Sequence, residues 1–373
     1  MFFRTLSVAR VAAAAILSIY ALAVSAACAH ETVEVTDVLD RKVTVPHGAE
    51  RVLLGFYFED FQAIVGPGAF DRVVAISRDT WEGWRNTQWQ AYVKVLPRLE
   101  SLIDVGEVDA GSFNIEAAVA SKPDVAILAA WQFRGLGEAV AKFDAAGIPV
   151  VVVDYNAQTV EKHVASTRLI GKIMAVEDRA EKLAMEYKAA VDDVMARVAA
   201  SAEGTKKVYV ELGNKGASEY GNSYSGTMWA GVVDLAGGEN IAEGRIENWG
   251  PLSPEYVIAS RPDVILIPGS GWAGRDKAVL MGFGTDPAVT RDRLRPYTER
   301  AGWATIPAVR NGEVHSVYHG GARTLYDYAF LQYVAKILHP EAFADVDPLE
   351  THRRFYQAYL PISADGSFMV KLD

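Results

Sequence analysis

The chain has 373 residues, of which 50% are hydrophobic and 23% are charged, so it is long and apolar enough to form two domains. This composition excludes a disordered tail, a collagen-like chain and a small disulfide scaffold. The formal net charge is -10 and no segment contains a dense run of Lys and Arg, so we do not expect a nucleic-acid partner. Cys28 is the only cysteine, which excludes a disulfide framework and a cysteine-based zinc site.

The first 29 residues predict a secretory signal peptide. Arg4 and Arg10 precede an apolar run over residues 11–24, and small residues follow it. Cleavage after Ala29 would discard Cys28, whereas cleavage before Cys28 would leave a cysteine that can receive a lipid anchor. Ser25 favours the first route, because lipoprotein signals usually have Leu or Val there. We therefore expect an exported protein that meets a membrane only through a partner or through that anchor.

Short β-rich runs alternate with helical patterns along the rest of the chain. This alternation is typical of βαβ units and predicts an α/β fold of two Rossmann-like lobes with mainly parallel sheets. We expect the N-terminal lobe over residues 30–156 and the C-terminal lobe over residues 205–345. The runs cover residues 51–55, 73–77, 124–129 and 148–154 in the first lobe, and 207–212, 263–268 and 313–318 in the second.

The segment between the two lobes, residues 157–204, predicts a helical bridge. From Val160 to Val198 its apolar residues recur mostly three or four positions apart, as on one face of a helix. The pattern weakens over residues 175–178, where we expect an interruption. A long helix that is not a low-complexity linker would hold the lobes at a nearly fixed distance. Residues 346–373 are expected to form a C-terminal extension that packs on the second lobe.

An internal repeat supports the division into two lobes. Residues 114–128 and 253–267 align without a gap and share the motif Ala-Ser-(Lys/Arg)-Pro-Asp-Val. In each copy the proline ends a helix and the aspartate opens the turn into a buried strand. Each predicted lobe therefore contains one copy.

The order of these motifs resembles that of the periplasmic binding proteins of ABC importers for ferric siderophores, haem and cobalamin. The resemblance rests on the two Pro-Asp-Val elements and on residues 36–46, 233–241 and 338–343. It implies a periplasmic monomer whose two α/β lobes are joined by one long helix, with little hinge motion and a shallow cleft between the lobes. It also implies an ABC permease and its ATPase as partners, and no intrinsic cofactor.

The resemblance makes an iron(III) siderophore complex the leading ligand, with haem, cobalamin and an oxyanion such as molybdate as alternatives. Two departures from the smaller family members, the Trp-rich segment 71–107 and the C-terminal extension, leave this choice open. The alternative from another class is an exported two-lobe metal-chelate enzyme of the chelatase type. The sequence has no His-Glu-x-x-His, Gly-x-Ser-x-Gly or phosphate-loop motif, so we do not expect an enzyme.

Ligand-binding residues are expected just after the strands, because ligands collect at the carboxyl ends of strands in open α/β sheets. Trp and Tyr offer broad contact area to a large ligand, and Arg pairs with carboxylate or catecholate oxygens. Packing and structural ion pairs are the alternative roles for these residues. His319 is in addition a candidate metal contact. The candidates are Tyr57, Arg78, Trp81, Trp84, Arg85, Trp131, Tyr155, Tyr224, Trp249, Trp272, His319 and Arg323.

Glu116 and Glu255 occupy the same position in the two copies of the repeat, near the start of a helix. The resemblance implies that each glutamate docks on an arginine pocket of the permease. A carboxylate at a helix N-terminus is also favoured by the helix dipole, so simple helix stabilisation is the alternative and is compatible with docking.

Overall fold

The computed structural model describes residues 31–373, so the predicted signal peptide and Cys28 lie outside the described residues. Two five-stranded sheets form two α/β lobes, and this confirms the predicted fold class. Every predicted β run contains a strand. The strands are β1 (Thr32–Thr36), β2 (Lys42–Pro46), β3 (Val52–Leu54), β4 (Val73–Ile76), β5 (Ile103–Asp104), β6 (Val125–Ala129), β7 (Val150–Val153), β8 (Lys207–Val210), β9 (Ser223–Tyr224), β10 (Glu239–Asn240), β11 (Trp249–Gly250), β12 (Val264–Leu266), β13 (Gly282–Phe283), β14 (Val314–Val317), β15 (Gly366–Ser367) and β16 (Met369–Lys371).

The α-helices lie mostly between these strands, as the alternating pattern predicts. Across residues 31–373 we find no helix with both the length and the apolar composition needed to cross a membrane. The helices are α1 (Phe58–Val65), α2 (Arg78–Glu82), α3 (Asn86–Val95), α4 (Ile115–Ala120), α5 (Ala130–Leu136), α6 (Ala141–Ala145), α7 (Val160–Met174), α8 (Glu177–Ala200), α9 (Trp229–Leu235), α10 (Pro254–Ser260), α11 (Pro287–Thr298), α12 (Pro307–Arg310), α13 (Asp327–Leu338) and α14 (Pro348–Tyr359).

The two sheets differ at one edge. The first has the strand order β5-β4-β3-β6-β7 and all its strands are parallel. The second has the order β10-β8-β12-β14-β16 and is parallel except for β16, which runs antiparallel to β14. Strands β6 and β7 are buried along their whole length, as expected for a sheet covered by helices on both faces.

The two copies of the repeat form the same local structure in the two lobes. In the first, α4 ends at Ala120 and leads into β6, and in the second, α10 ends at Ser260 and leads into β12. Asn114 and Ser253 cap the two helices by accepting a hydrogen bond from a backbone N–H of the first turn. Both strands lie inside their sheets, so each copy supplies an interior strand of one lobe.

The bridge consists of α7 and α8, and its predicted interruption is confirmed. Helix α7 ends at Met174 because Ala175 has a left-handed backbone conformation, with φ 55° and ψ 49°, and α8 begins at Glu177. Helix α8 has 24 residues and packs against both α1 of the first lobe and α13 of the second. It is therefore the long helix that joins the lobes.

A buried polar cluster also joins the lobes, and we call Glu59, Gln88, Tyr92, Tyr326 and Tyr356 the Glu59 cluster. The carboxylate of Glu59 accepts hydrogen bonds from Gln88 Nε2 at 2.7 Å and Tyr92 Oη at 2.9 Å in the first lobe. From the C-terminal half it accepts hydrogen bonds from Tyr326 Oη at 2.6 Å and Tyr356 Oη at 2.8 Å. Burial raises the pKa of Glu59, although the hydrogen bonds from Tyr326 and Tyr356 oppose this.

The C-terminal extension contacts both lobes, whereas the sequence predicts packing on the second lobe alone. Strand β16 pairs with β14 and so completes the second sheet. Helix α14 packs against α13 and also against α1 of the first lobe. The reason is Tyr356, which α14 places in hydrogen-bonding distance of Glu59.

Candidate functional site

A cavity of about 670 Å³ lies between the lobes, at the carboxyl ends of the parallel strands of both sheets. This is the place expected for a ligand in open α/β sheets. The structure brings together seven of the predicted candidates on its wall. They are Trp84, Trp131, Tyr224, Trp249, Trp272, His319 and Arg323.

Three other candidates are buried and do not line the cavity. Trp81 is fully buried, and its ring stacks on Phe58 of α1 with 4.5 Å between the ring centroids. Tyr155 is also fully buried, and its hydroxyl lies 3.0 Å from that of Thr167. Tyr57 is closer to the cavity, because its hydroxyl donates to Asn156 on the cavity wall at 3.0 Å. Apolar packing accounts for Trp81, and hydrogen bonding inside the fold for the two tyrosines.

Two predicted arginines also lie away from the cavity wall. Arg78 donates to the carbonyl of Glu100 at 3.0 Å and forms an ion pair with Glu82 at 3.2 Å, one turn later on the same helix. Arg85 is buried, with its guanidinium 5.2 Å from the centre of the Phe56 ring. The structure therefore gives Arg78 a local role in α2 and Arg85 an interior position.

The cavity wall includes charged residues that were not among the candidates predicted from the sequence. Asp154 follows β7, so its post-strand position could have identified it, and Lys162 of α7 pairs with it at 3.4 Å. Arg134 lies on α5, three residues after Trp131, which puts both on one face of that helix. Asn156, Asn214 and Met228 also line the wall. Its charged side chains are Arg134, Lys162, Arg275 and Arg323 on the basic side and Asp109 and Asp154 on the acidic side, so basic groups are in excess.

Arg323 is a buried cation without a carboxylate partner among the described residues. Its side chain is 6% exposed, its guanidinium lies 4.6 Å from the centre of the Phe56 ring, and its Nε has no hydrogen-bond partner in residues 31–373. Burial and the nearby charge of Arg85 lower the pKa of Arg323 to about 10. At neutral pH it is still charged, so an anion would be stabilised beside it.

His319 is held by a hydrogen bond on one ring nitrogen. Trp229 Nε1 lies 3.3 Å from His319 Nδ1, and the imidazole stacks on Trp272 with 6.1 Å between the ring centroids. Burial and the positive charges of Arg323 and Arg85 hold the pKa of His319 well below its usual value. The ring is therefore neutral at neutral pH.

Three more polar atoms of the cavity-lining residues lack a partner in the described part of the chain. These are Nε1 of Trp131, Nε1 of Trp272 and the hydroxyl of Tyr224. Burial raises the pKa of Tyr224, so its hydroxyl stays protonated. Within residues 31–373 we find no group of three or more His, Cys, Asp or Glu side chains that could hold a metal ion. The site thus offers hydrogen-bond donors and aromatic surface.

Most of the two-lobe region matches a known protein family. The periplasmic binding protein family matches residues 52–318, which is more than half of the chain. The chain belongs to the periplasmic binding protein family. It is therefore a substrate-binding protein of the ABC importer type.

Relatives of this periplasmic binding protein include several of known structure. A crystal structure described as the TroA-like periplasmic binding protein FepB from Veillonella parvula is 33% identical and has a TM-score of 0.84, covering 91% of this chain and 100% of that chain. The molybdate-binding protein MolA of Haemophilus influenzae is 24% identical over 359 residues, covering 87% of this chain and 90% of MolA. The structure of MolA bound to molybdate has a TM-score of 0.68.

Vitamin B12-binding proteins of the family match over a shorter stretch. The one from Pectobacterium carotovorum is 25% identical over 157 residues, which is 42% of this chain and 54% of that relative. The names of these relatives all describe binding proteins.

Proposed function

We propose that this binding protein captures an anionic metal chelate, an iron(III) siderophore complex, in the cavity and delivers it to an ABC permease from the periplasm. The observation that supports this most directly is Arg323, a buried guanidinium with no carboxylate within ion-pair distance among the described residues. A buried charge is costly unless it is paired, so an anion is the natural partner. Carboxylate and catecholate oxygens accept hydrogen bonds from a guanidinium in a bidentate manner.

The size and the lining of the cavity favour a large ligand. A volume of about 670 Å³ is in the usual range of small-molecule sites. Trp84, Trp131, Trp249 and Trp272 offer flat apolar surface, which a bare ion would leave uncovered. The excess of basic groups on the wall favours an anionic chelate over a neutral one.

A molybdate-type oxyanion is the second candidate, and the similarity to MolA favours it. Arg323 and the unpaired indole N–H groups of Trp131 and Trp272 would suit the oxygens of a tetrahedral anion. Such an anion would occupy only a small part of the cavity. For this reason we place it behind the chelate.

The test is a calorimetric titration of the purified protein with a ferric tris(catecholate), a ferric tris(hydroxamate), haem, cobalamin and molybdate, followed by quenching of Trp fluorescence. We expect an anionic ferric chelate to bind most tightly, and Trp84→Ala or Trp272→Ala to weaken its binding about tenfold. Arg354→Gln, a change on the exposed face of α14, is the control. Tightest binding of cobalamin or molybdate would reject the ferric chelate as the ligand.

Docking on the permease is proposed for Glu116 and Glu255. Both carboxylates are exposed in the first turn of their helices, α4 and α10, at equivalent positions of the two lobes. Glu116 is paired with Lys142 at 2.5 Å, and a more basic surface could compete for it. Paired charges at an interface fix the register and speed the encounter.

The docking test uses the double variant Glu116→Ala with Glu255→Ala. Its ligand affinity and stability should be unchanged, while ligand-dependent stimulation of the transporter's ATPase should be lost. Glu161→Ala is the matched control, because Glu161 is also exposed in the first turn of a helix. Normal stimulation by the double variant would reject the docking role.

A further inference from the structure

We propose that His319 acts as a hydrogen-bond donor through Nε2–H and does not ligate a metal, so that the bound chelate carries a metal whose coordination sphere is already complete. This inference rests on the proposed function and makes its ligand class more specific. Two observations support it: one nitrogen of the His319 ring already accepts a hydrogen bond, and the groups around the ring are hydrogen-bond donors. We call Trp131, Tyr224, Trp272, His319 and Arg323 the donor cluster.

The hydrogen bond from Trp229 determines the tautomer of His319. Trp229 is fully buried, and an indole N–H can only donate. Its Nε1 lies 3.3 Å from His319 Nδ1, which must therefore be the unprotonated, accepting nitrogen. A neutral imidazole has one proton, so this proton is on Nε2. The hydrogen bond from Trp229 is the one we find on the ring of His319 within residues 31–373, so Nε2 is available to a ligand in the cavity that the side chain lines.

Metal ligation would require a different arrangement of the same ring. A histidine binds a metal through an unprotonated nitrogen, and here Nδ1 is occupied by Trp229 while Nε2 is protonated. Moving the proton to Nδ1 would break the hydrogen bond and leave a buried indole N–H unsatisfied, which is costly. Within residues 31–373, His319 belongs to no group of three or more His, Cys, Asp or Glu side chains that could hold a metal ion.

The neighbours of His319 are donors as well. The Tyr224 ring lies 6.2 Å from the imidazole and its hydroxyl is a protonated phenol without a partner in the described residues. The unpaired groups of Trp131, Trp272 and Arg323 are N–H groups, which cannot bind a metal. The donor cluster therefore fits a ligand whose outward-facing atoms are oxygen acceptors and whose metal is enclosed.

The two carboxylates of the cavity wall do not alter this conclusion. Asp154 is engaged by Lys162 at 3.4 Å and by the backbone N–H of Asn156 at 2.9 Å. Asp109 is solvent-exposed, and the nearby charge of Arg323 favours its ionised form. Asp154 is therefore already occupied, and Asp109 faces solvent.

A first experiment tests the tautomer without any ligand. Nitrogen-15 histidine labelling of the whole mature protein, with His319→Ala to assign the signal, reports by long-range proton–nitrogen correlation which ring nitrogen carries the proton. We expect a protonated Nε2 at neutral pH. A protonated Nδ1 would overturn the proposal, whether or not the ligand is known.

A second experiment compares two probes that differ in the iron sphere. A ferric tris(catecholate) has all six positions filled, whereas a ferric bis(catecholate) leaves two positions to water. We expect the tris complex to bind at least as tightly as the bis complex, with its electron paramagnetic resonance and visible spectra unchanged on binding. Tighter binding of the bis complex with a changed spectrum would show ligation by the protein and overturn the inference. If neither complex binds and another class of ligand does, the proposed function fails, while the tautomer measurement still decides the role of His319.

Two substitutions separate donation from ligation. His319→Gln places an amide N–H near the position of Nε2, and we expect it to bind the tris complex within about fivefold of the unchanged protein. His319→Ala removes the donor and should weaken binding about 10- to 100-fold, as for a hydrogen bond to a charged group. Circular dichroism of both variants verifies folding. Equal, complete loss of binding in two folded variants would overturn the role as donor.

Discussion

The Glu59 cluster and the donor cluster are two buried polar regions with opposite balances of donors and acceptors. In the Glu59 cluster, one carboxylate accepts hydrogen bonds from two side chains of the first lobe and two of the C-terminal half. In the donor cluster, Trp131, Tyr224, Trp272 and Arg323 have polar hydrogens without an acceptor among the described residues. Buried donors are normally satisfied, and these four residues all line one cavity, so their missing acceptors indicate where an outside molecule belongs. The first region stabilises the fold, and the second is the one that we propose binds the ligand.

The largest effect is expected from removing the acceptor of the first region. Glu59→Ala would leave Gln88, Tyr92, Tyr326 and Tyr356 without their common partner and should lower the free energy of unfolding by about 3 to 5 kcal/mol. Urea denaturation measures this loss. The exposed Glu161→Ala should change stability by less than about 0.5 kcal/mol. A loss below about 1 kcal/mol for Glu59→Ala would mean that the cluster is not structural.

Arg323→Met is expected to weaken ligand binding without lowering the stability of the protein, in contrast to Glu59→Ala. It removes a buried charge that has no carboxylate partner in residues 31–373, so stability should be unchanged or higher. Binding of the ferric chelate should weaken by about 1.5 to 3 kcal/mol, because a charge-assisted hydrogen bond is lost. Calorimetric titration and thermal unfolding measure the two effects, with Arg354→Met as control. A destabilised variant with normal affinity would place Arg323 among the structural residues.

A buried acid near the donor cluster makes stability depend on pH. Burial raises the pKa of Glu107 to about 7, although the hydrogen bond from the Val108 N–H opposes this. Between the ordinary pKa of a glutamate and pH 7, the folded state therefore keeps a proton that the unfolded chain has released. The stabilisation that this proton gives is present at low pH and is lost as the pH rises through 7. We expect the free energy of unfolding to fall by about 2 kcal/mol between pH 5.5 and 8.

The matched variant for this pH effect is Glu107→Gln, which keeps the size of the side chain and removes its titration. Thermal and urea unfolding across the same pH range should give a flatter profile for the variant. An equally steep profile in both proteins would assign the pH dependence to other groups.

The smallest effect is expected from a single indole N–H. Trp272→Phe keeps an aromatic ring but removes Nε1–H, and should weaken ligand binding about three- to tenfold, as for one neutral hydrogen bond. The control is Trp303→Phe, because Trp303 Nε1 donates a hydrogen bond to the Tyr220 hydroxyl inside the second lobe at 2.7 Å. This control should lower the stability of the protein and leave its ligand affinity unchanged. Equal affinities in both variants would show that the Trp272 N–H is not used by the ligand.

Local patterns predicted the fold well. The strands, the repeated helix–strand units and the interruption between α7 and α8 depend on residues close together in sequence, and all are present. The edge strand β16 was not predicted, because its place beside β14 depends on pairing with a strand more than 50 residues earlier. Such non-local pairing leaves little trace in hydrophobic periodicity.

The site was harder to predict because an aromatic residue after a strand can face either the cavity or the hydrophobic core. Trp81 and Trp84 are three residues apart, yet Trp84 lines the cavity while Trp81 stacks on Phe58 of another helix. Sequence spacing does not show which of the two finds a partner in the core. Lys162 was missed for a related reason, since it comes from the bridge and not from a post-strand loop.

The hydrogen bonds to Glu59 also have a mechanical consequence. Separating the lobes would break the contacts of Tyr326 and Tyr356 with Glu59, and would break the 2.7 Å hydrogen bond from Ser270 to the carbonyl of Trp84. These contacts must break together, so thermal opening is a rare, high-energy event. We expect the ligand to enter a cavity that is already formed, with an association rate set by diffusional encounter. Its release would then require work applied to the lobes from outside the molecule.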